Sequence, residues 1–234
     1  SNFITGIWIM VFQNNLLMAA ASTIKADGTV TYISSNDDQA NLSSYTFSSQ
    51  DIGTPASGRI VLVTAHVTGS SPSITAISVG GNACTKATGV NGVNPEDHVA
   101  MWYVELAAGA TGDVVVTVSV TSYSCAINVY NINGNIDATP EATVTDNGAS
   151  PNILTITAPA VGVLIAVGSN RGGVGTSSFT NLTERKETLA SPSLLMTTGS
   201  DAFATQDTNR AVKFNYTAGS TTTGCACIAS WGPP

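Results

Sequence analysis

From Thr29 onward, apolar and β-branched runs of five to nine residues alternate with clusters of Gly, Asn, Ser and Pro. No stretch in this region sustains a helical 3.6-residue period. The clearest runs are Arg59 to Val67, Ser73 to Val79, Val99 to Leu106, Val114 to Val120 and Cys125 to Ile132. A second series follows at Ile153 to Thr157, Val161 to Val167, Leu194 to Thr198, Ala211 to Thr217 and Gly224 to Trp231. Turn clusters such as Gly69-Ser70-Ser71-Pro72, Gly80-Gly81-Asn82 and Asn133-Gly134-Asn135 separate them. Many short strands at this spacing predict an all-β fold, a β-sandwich or jelly roll. Arg59 to Val67 is apolar on both faces and predicts a central strand covered on both sides. In Val114 to Val120 the even-numbered valines share one face, which predicts an antiparallel strand with one wetter side.

The composition agrees. Only 10% of the 234 residues are charged, against 43% hydrophobic, and the polar positions are mostly Ser, Thr, Asn and Gly. β-branched Thr fits a pleated surface, and Gly and Asn suit tight turns. A net charge of −7 with only eight Lys plus Arg disfavours nucleic-acid binding by phosphate neutralisation.

Residues 1–28 stand apart. The first charged residue is Lys25, and Phe3, Ile7, Trp8, Ile9, Phe12, Leu16 and Leu17 make the segment strongly apolar. A helix over Phe12 to Ala21 suits its tail. Ala19-Ala20-Ala21 resembles a leader cleavage site, but a basic n-region is lacking and Gln13-Asn14-Asn15 interrupts the apolar run. The same break argues against a membrane span. The expectation is an arm that must be buried in a protein partner, because such a surface is rarely left bare.

The body reads as two passes of one pattern, over 29–138 and 139–234, forming two similar units or one duplicated domain. Val61-Leu62-Val63 resembles Val163-Leu164-Ile165, 102 positions later, and Cys125-Ala126 resembles Cys225-Ala226, 100 later. Phe47 parallels Ile156, and Ile52-Gly53 parallels Val161-Gly162. Units of this length suit a duplicated sandwich rather than a solenoid.

Chemistry-bearing residues are sparse. Cys84, Cys125, Cys225 and Cys227 lack C-x-x-C spacing and read as small buried apolar groups, with a Cys125–Cys225 disulfide as the alternative. His66 and His98 read as surface or edge histidines, since nothing in the spacing draws them toward Glu96 and Asp97 for metal or acid–base work. Asn36-Asp37-Asp38-Gln39 reads as a solvated loop. No motif supplies a nucleophile with its base, so no catalytic residue, metal or cofactor is expected. Tyr103, Tyr123 and Tyr130 are the candidate rings for stacking on a sugar, weighed against simple sheet packing.

Several pieces together resemble a loose group of tailed-bacteriophage accessory virion proteins. They are Tyr45-Thr46-Phe47-Ser48-Ser49-Gln50-Asp51-Ile52-Gly53, Arg59-Ile60-Val61-Leu62-Val63, Ile77-Ser78-Val79-Gly80-Gly81, Gly112-Asp113-Val114-Val115-Val116-Thr117-Val118 and Ala229-Ser230-Trp231. Phe179-Thr180-Asn181-Leu182-Thr183-Glu184 and Phe12-Gln13-Asn14-Asn15-Leu16-Leu17-Met18 fit as well. The resemblance spans most of residues 12–231. It implies a non-enzymatic fibre, spike or head-decoration component of the virion, whose partners are capsid or tail proteins, further copies of itself and possible host-surface glycans. The alternative is a secreted or surface carbohydrate-binding module or adhesin.

Overall fold

The computed structural model describes residues 28–93, 96–171, 176–191, 194–217 and 223–234. The expected arm, with Phe3, Ile7, Trp8, Ile9, Phe12, Leu16 and Leu17, lies outside the described residues. The described chain is all β. Its first half forms β1 (Thr29–Asp38), β2 (Leu42–Asp51), β3 (Ile60–Gly69), β4 (Ile74–Val79), β5 (Asn82–Ala83), β6 (Thr85–Asn91), β7 (Asp97–Glu105) and β8 (Thr111–Asn133). Its second half forms β9 (Ala142–Ala149), β10 (Asn152–Ala158), β11 (Gly162–Arg171), β12 (Ser177–Thr180), β13 (Glu184–Ser191), β14 (Leu194–Phe203), β15 (Asp207–Tyr216) and β16 (Thr223–Trp231).

The same sandwich is built twice. In the first, an inner sheet runs β1-β8-β3-β7-β6 and an outer sheet runs β2-β8-β4-β5. In the second, the inner sheet runs β9-β16-β11-β14-β13 and the outer sheet β10-β15-β12. Each strand of the second series takes the place of its counterpart in the first, so the duplication is one of topology. One difference matters. The 23-residue strand β8 serves both sheets of the first sandwich, pairing β2 and β4 near its start and β1 and β3 over its second half. Its counterparts β15 and β16 are separate strands. The sequence pattern predicts two strands here as well, but Thr121-Ser122-Tyr123-Ser124 contains neither Gly nor Pro to force a turn, and the ladder runs through.

The two inner sheets pack face to face, giving four layers with three cores. Val61, Val63, Val114, Val116, Ile127 and Trp102 fill the first sandwich. Leu154, Leu164, Val212, Phe214 and Ile228 fill the second. Between the inner sheets lie Leu62, Met101, Tyr130, Val163, Ile165, Met196 and Trp231. β3 is therefore buried on both faces along its whole length, as its run of apolar residues predicts. β1 packs over β13, and β6 over β9. This reciprocal contact describes an approximate two-fold axis along the strands.

The repeat register is corrected by the packing. Val61 points into the first sandwich, whereas Val163 points between the inner sheets; Cys125 and Cys225 differ in the same way. Offsets of 102 and 100 are even, and the true facing requires an odd one, as Phe47 with Ile156 already has. Apolar identity could not reveal this, because both faces of β3 and β11 are buried.

Candidate functional site

β8 gives the first sandwich its shape. One strand cannot serve two sheets without bending, and the sheets diverge away from the bend. The open end gathers the start of β3, the end of β2, and the loops before β3 and β8. Arg59 ties it. Its guanidinium is fully buried, and Nε donates to Leu106 O (2.7 Å). Nη1 donates to Ile52 O (3.2 Å) and Gly53 O (2.7 Å), and Nη2 to Ala108 O (2.8 Å) and Gly109 O (2.9 Å). Gly53 and Gly109 both have φ of 79°, which turns these carbonyls inward where a side chain would be strained. Burial pulls the guanidinium below its ordinary pKa. Carbonyl dipoles rather than a carboxylate hold the charge.

Beside this clasp, between β1 and the end of β2, lies an open cleft of about 520 Å³ lined by Tyr32, Ile33, Asp51, Gly53, Thr54, Pro55 and Ala110. A β-bulge between Tyr32 and Ser34 turns Ile33 toward the first core. Ser34 Oγ donates to Asp51 O (2.8 Å), and Gly53 N to Asp51 Oδ1 (2.7 Å). Thr54, Pro55 and Ala110 are exposed at the rim.

The same end of the molecule holds the root of the arm. Gly28 is buried, donates its N–H to Val161 O (3.1 Å), and sits so close to Ile136 that a Cβ would lie 2.4 Å from its Cδ1. The connection between sandwiches is pinned nearby, with Asp137 N on Gly232 O and Glu141 N on Ser230 O, each at 2.8 Å.

The opposite end contains a buried polar seam. His66 and His98 are 0% and 3% exposed, so the surface or edge expectation for both is overturned. Their strands are interior ones, and the second sandwich covers the face on which His66 lies. His66 Nε2 lies 2.9 Å from Ser169 Oγ and 3.7 Å from Asp97 Oδ1. Asp97 and His66 thus do converge, with a serine from the other sandwich that no spacing argument could have supplied. The arrangement is unsuited to nucleophilic catalysis. Serine and carboxylate crowd one ring nitrogen while Nδ1 has no hydrogen-bond partner, and the group is shut off from solvent. His98 Nδ1 accepts from Ile74 N (3.3 Å), and burial, with the Lys86 and His66 charges secondary, pulls its pKa down to about 4.

Two of the three candidate sugar-stacking rings are corrected. Tyr130 is fully buried and donates to Thr198 Oγ1; Tyr103 is 7% exposed and packs edge-on against Trp231 at 6.3 Å. Both face the second sandwich, whose existence as a cover is a tertiary fact. Tyr123 alone is open, at 54%, with its hydroxyl 3.1 Å from Ser70 Oγ. All four cysteines are free, and burial pushes their thiols up. Cys125 and Cys225 lie in different cores, so the disulfide alternative is ruled out by direction. The loop expectation for Asn36-Asp37-Asp38-Gln39 is corrected, since Asn36, Asp37 and Asp38 are the last residues of β1, paired with Ile127, Ala126 and Cys125, and Asp38 Oδ1 accepts from Ala40 N (2.8 Å) just beyond the strand. Among the described residues no three His, Cys, Asp or Glu side chains gather as a metal site, and no helix is long and apolar enough to cross a membrane.

No protein-family model matches this sequence, and no curated protein matches it.

Proposed function

We propose that this chain is a non-enzymatic structural component of a bacteriophage virion, of decoration, fibre or spike type, attached through its N-terminal arm to the capsid or tail. The observation that carries the reading is the placement of Gly28, locked against Val161 and Ile136 at one end of the two stacked sandwiches. A segment leaving from a fixed root can hold a stiff body at a defined angle, while a loosely tethered one cannot. The body suits an outward position: four β layers, three packed cores and a net charge of −7. The arm, uncharged before Lys25, gains free energy by burial in a neighbouring protein.

Deleting residues 1–21 is expected to leave a folded body, with an unchanged unfolding midpoint, that no longer attaches to particles. Full occupancy of particles by the truncated body would overturn the proposal.

A further inference from the structure

The core between the inner sheets changes character along its length. Toward the start of β3 it is apolar, with Ile60, Leu62, Tyr130, Ile132, Val163 and Trp231. Toward the end of β3 the same facing surfaces carry Thr64, His66, Asp97, Ser124, Asn128 and Ser169, which are between 0% and 4% exposed. The register gathers the first-sandwich members into one patch. Thr64 pairs with Asn128 across β3 and β8, and Thr68 pairs with Ser124 on one side and Asp97 on the other. Alternation along β3 places His66 between these rows on the same face.

The second sandwich satisfies this patch in part. His66 Nε2 meets Ser169 Oγ at 2.9 Å, and Asn128 Nδ2 reaches the weak acceptor Met196 Sδ at 3.7 Å. Thr64 Oγ1, His66 Nδ1, Asp97 Oδ1, Ser124 Oγ and Asn128 Oδ1 have no hydrogen-bond partner within the protein. An unpaired buried polar atom costs its full desolvation, so five in one patch point to a ligand. Room for one follows from side-chain size. Ser124, Ala126, Ser169 and Cys225 are small, and stacked sheets stand about 10 Å apart, a gap that large apolar side chains fill at the other end.

We propose that this half of the junction is an internal water-binding site, in which a file of ordered waters bridges Thr64, His66, Asp97, Ser124 and Asn128 between the two sandwiches. The span decides against a single cation. Thr64 and Thr68 are four residues apart, about 13 Å along the strand, whereas oxygen ligands of one hard cation lie about 2.3–2.6 Å from it. The donor set agrees. Asp97 Oδ1 and Asn128 Oδ1 ask for donors, the two hydroxyls work both ways, and water supplies both roles. The proposal does not depend on the virion reading.

The test is a crystal structure of the full chain at a resolution that shows ordered water. The expected result is a file of waters within hydrogen-bond distance of the five atoms. A dry seam, a lone water, a bound ion, or rotamers that pair the five atoms directly would overturn the proposal. Thr64→Val and Ser124→Ala, each measured by urea unfolding, give an independent sign. In a wet seam each substitution strips a bridging water of a partner, and the unfolding midpoint falls. In a dry seam each removes an unpaired hydroxyl, and the midpoint rises. A raised or unchanged midpoint in both variants also overturns it.

Discussion

Arg59 is the residue on which the shape of the first sandwich most depends. Five carbonyl oxygens converge on one buried guanidinium, and no other side chain offers a planar fork that reaches all of them. Arg59→Met is expected to lower stability by about 3 kcal/mol or more, because buried carbonyls lose their donors. Arg59→Lys should recover less than half of that, as read by urea unfolding. His98 gives a pH dependence of known sign. The unfolded ring takes up a proton near its ordinary value of 6.5, whereas the folded ring refuses one until about pH 4. Its contribution is therefore fully present above pH 6.5, declines as pH falls to 4, and levels off below. The loss across that window is about 3 kcal/mol. His98→Asn, which keeps an acceptor for Ile74 N, should flatten the slope of stability between pH 6.5 and 4 relative to the unsubstituted protein.

At the scale of elements, β11 shows how the second sandwich accommodates its aromatic core. Phe179, Phe214 and Tyr216 form a row with centroids 5.2 and 5.3 Å apart. Phe214 lies over Gly168, where a Cβ would meet its ring at 2.7 Å. Gly168→Ala is expected to cost about 1–3 kcal/mol through overpacking. Adding Phe214→Leu should restore part of the loss, giving a double-mutant coupling that independent sites would not show. β8 illustrates the converse effect, in which continuity of one strand holds two sheets apart and creates the cleft.

At the scale of the molecule, the two sandwiches share their third core. Residues 139–234 on their own would expose Val163, Ile165, Val167, Met196 and Trp231. Given the two-fold relation between the sandwiches, this fragment is expected to self-associate through that face rather than remain monomeric. Sedimentation should show a dimer or larger species, and Ile165→Lys should disperse it. A stable fragment monomer would mean that the inter-sheet core adds little.

Strand periodicity, turn residues and the doubling of the pattern were legible along the chain, because alternation and Gly or Asn punctuation are local properties. So was the double-sided burial of β3, whose residues are apolar on both faces. The facing of the repeat was not legible. A shift by one residue exchanges the two faces, and two apolar faces look alike in one dimension. The continuity of β8 depends on two sheets sharing one strand, which no local signal marks. The burial of His66, Tyr103 and Tyr130, and the meeting of His66 with Ser169, depend on the second sandwich lying across the first. Arg59 belongs in the same class, for a lone arginine at a strand start gives no sign that five carbonyls, three of them nearly 50 residues away, will close around it. Local chemistry determined where the chain extends and where it turns; the stacking of sheets, which brings together residues about 100 positions apart, decided which side chains meet.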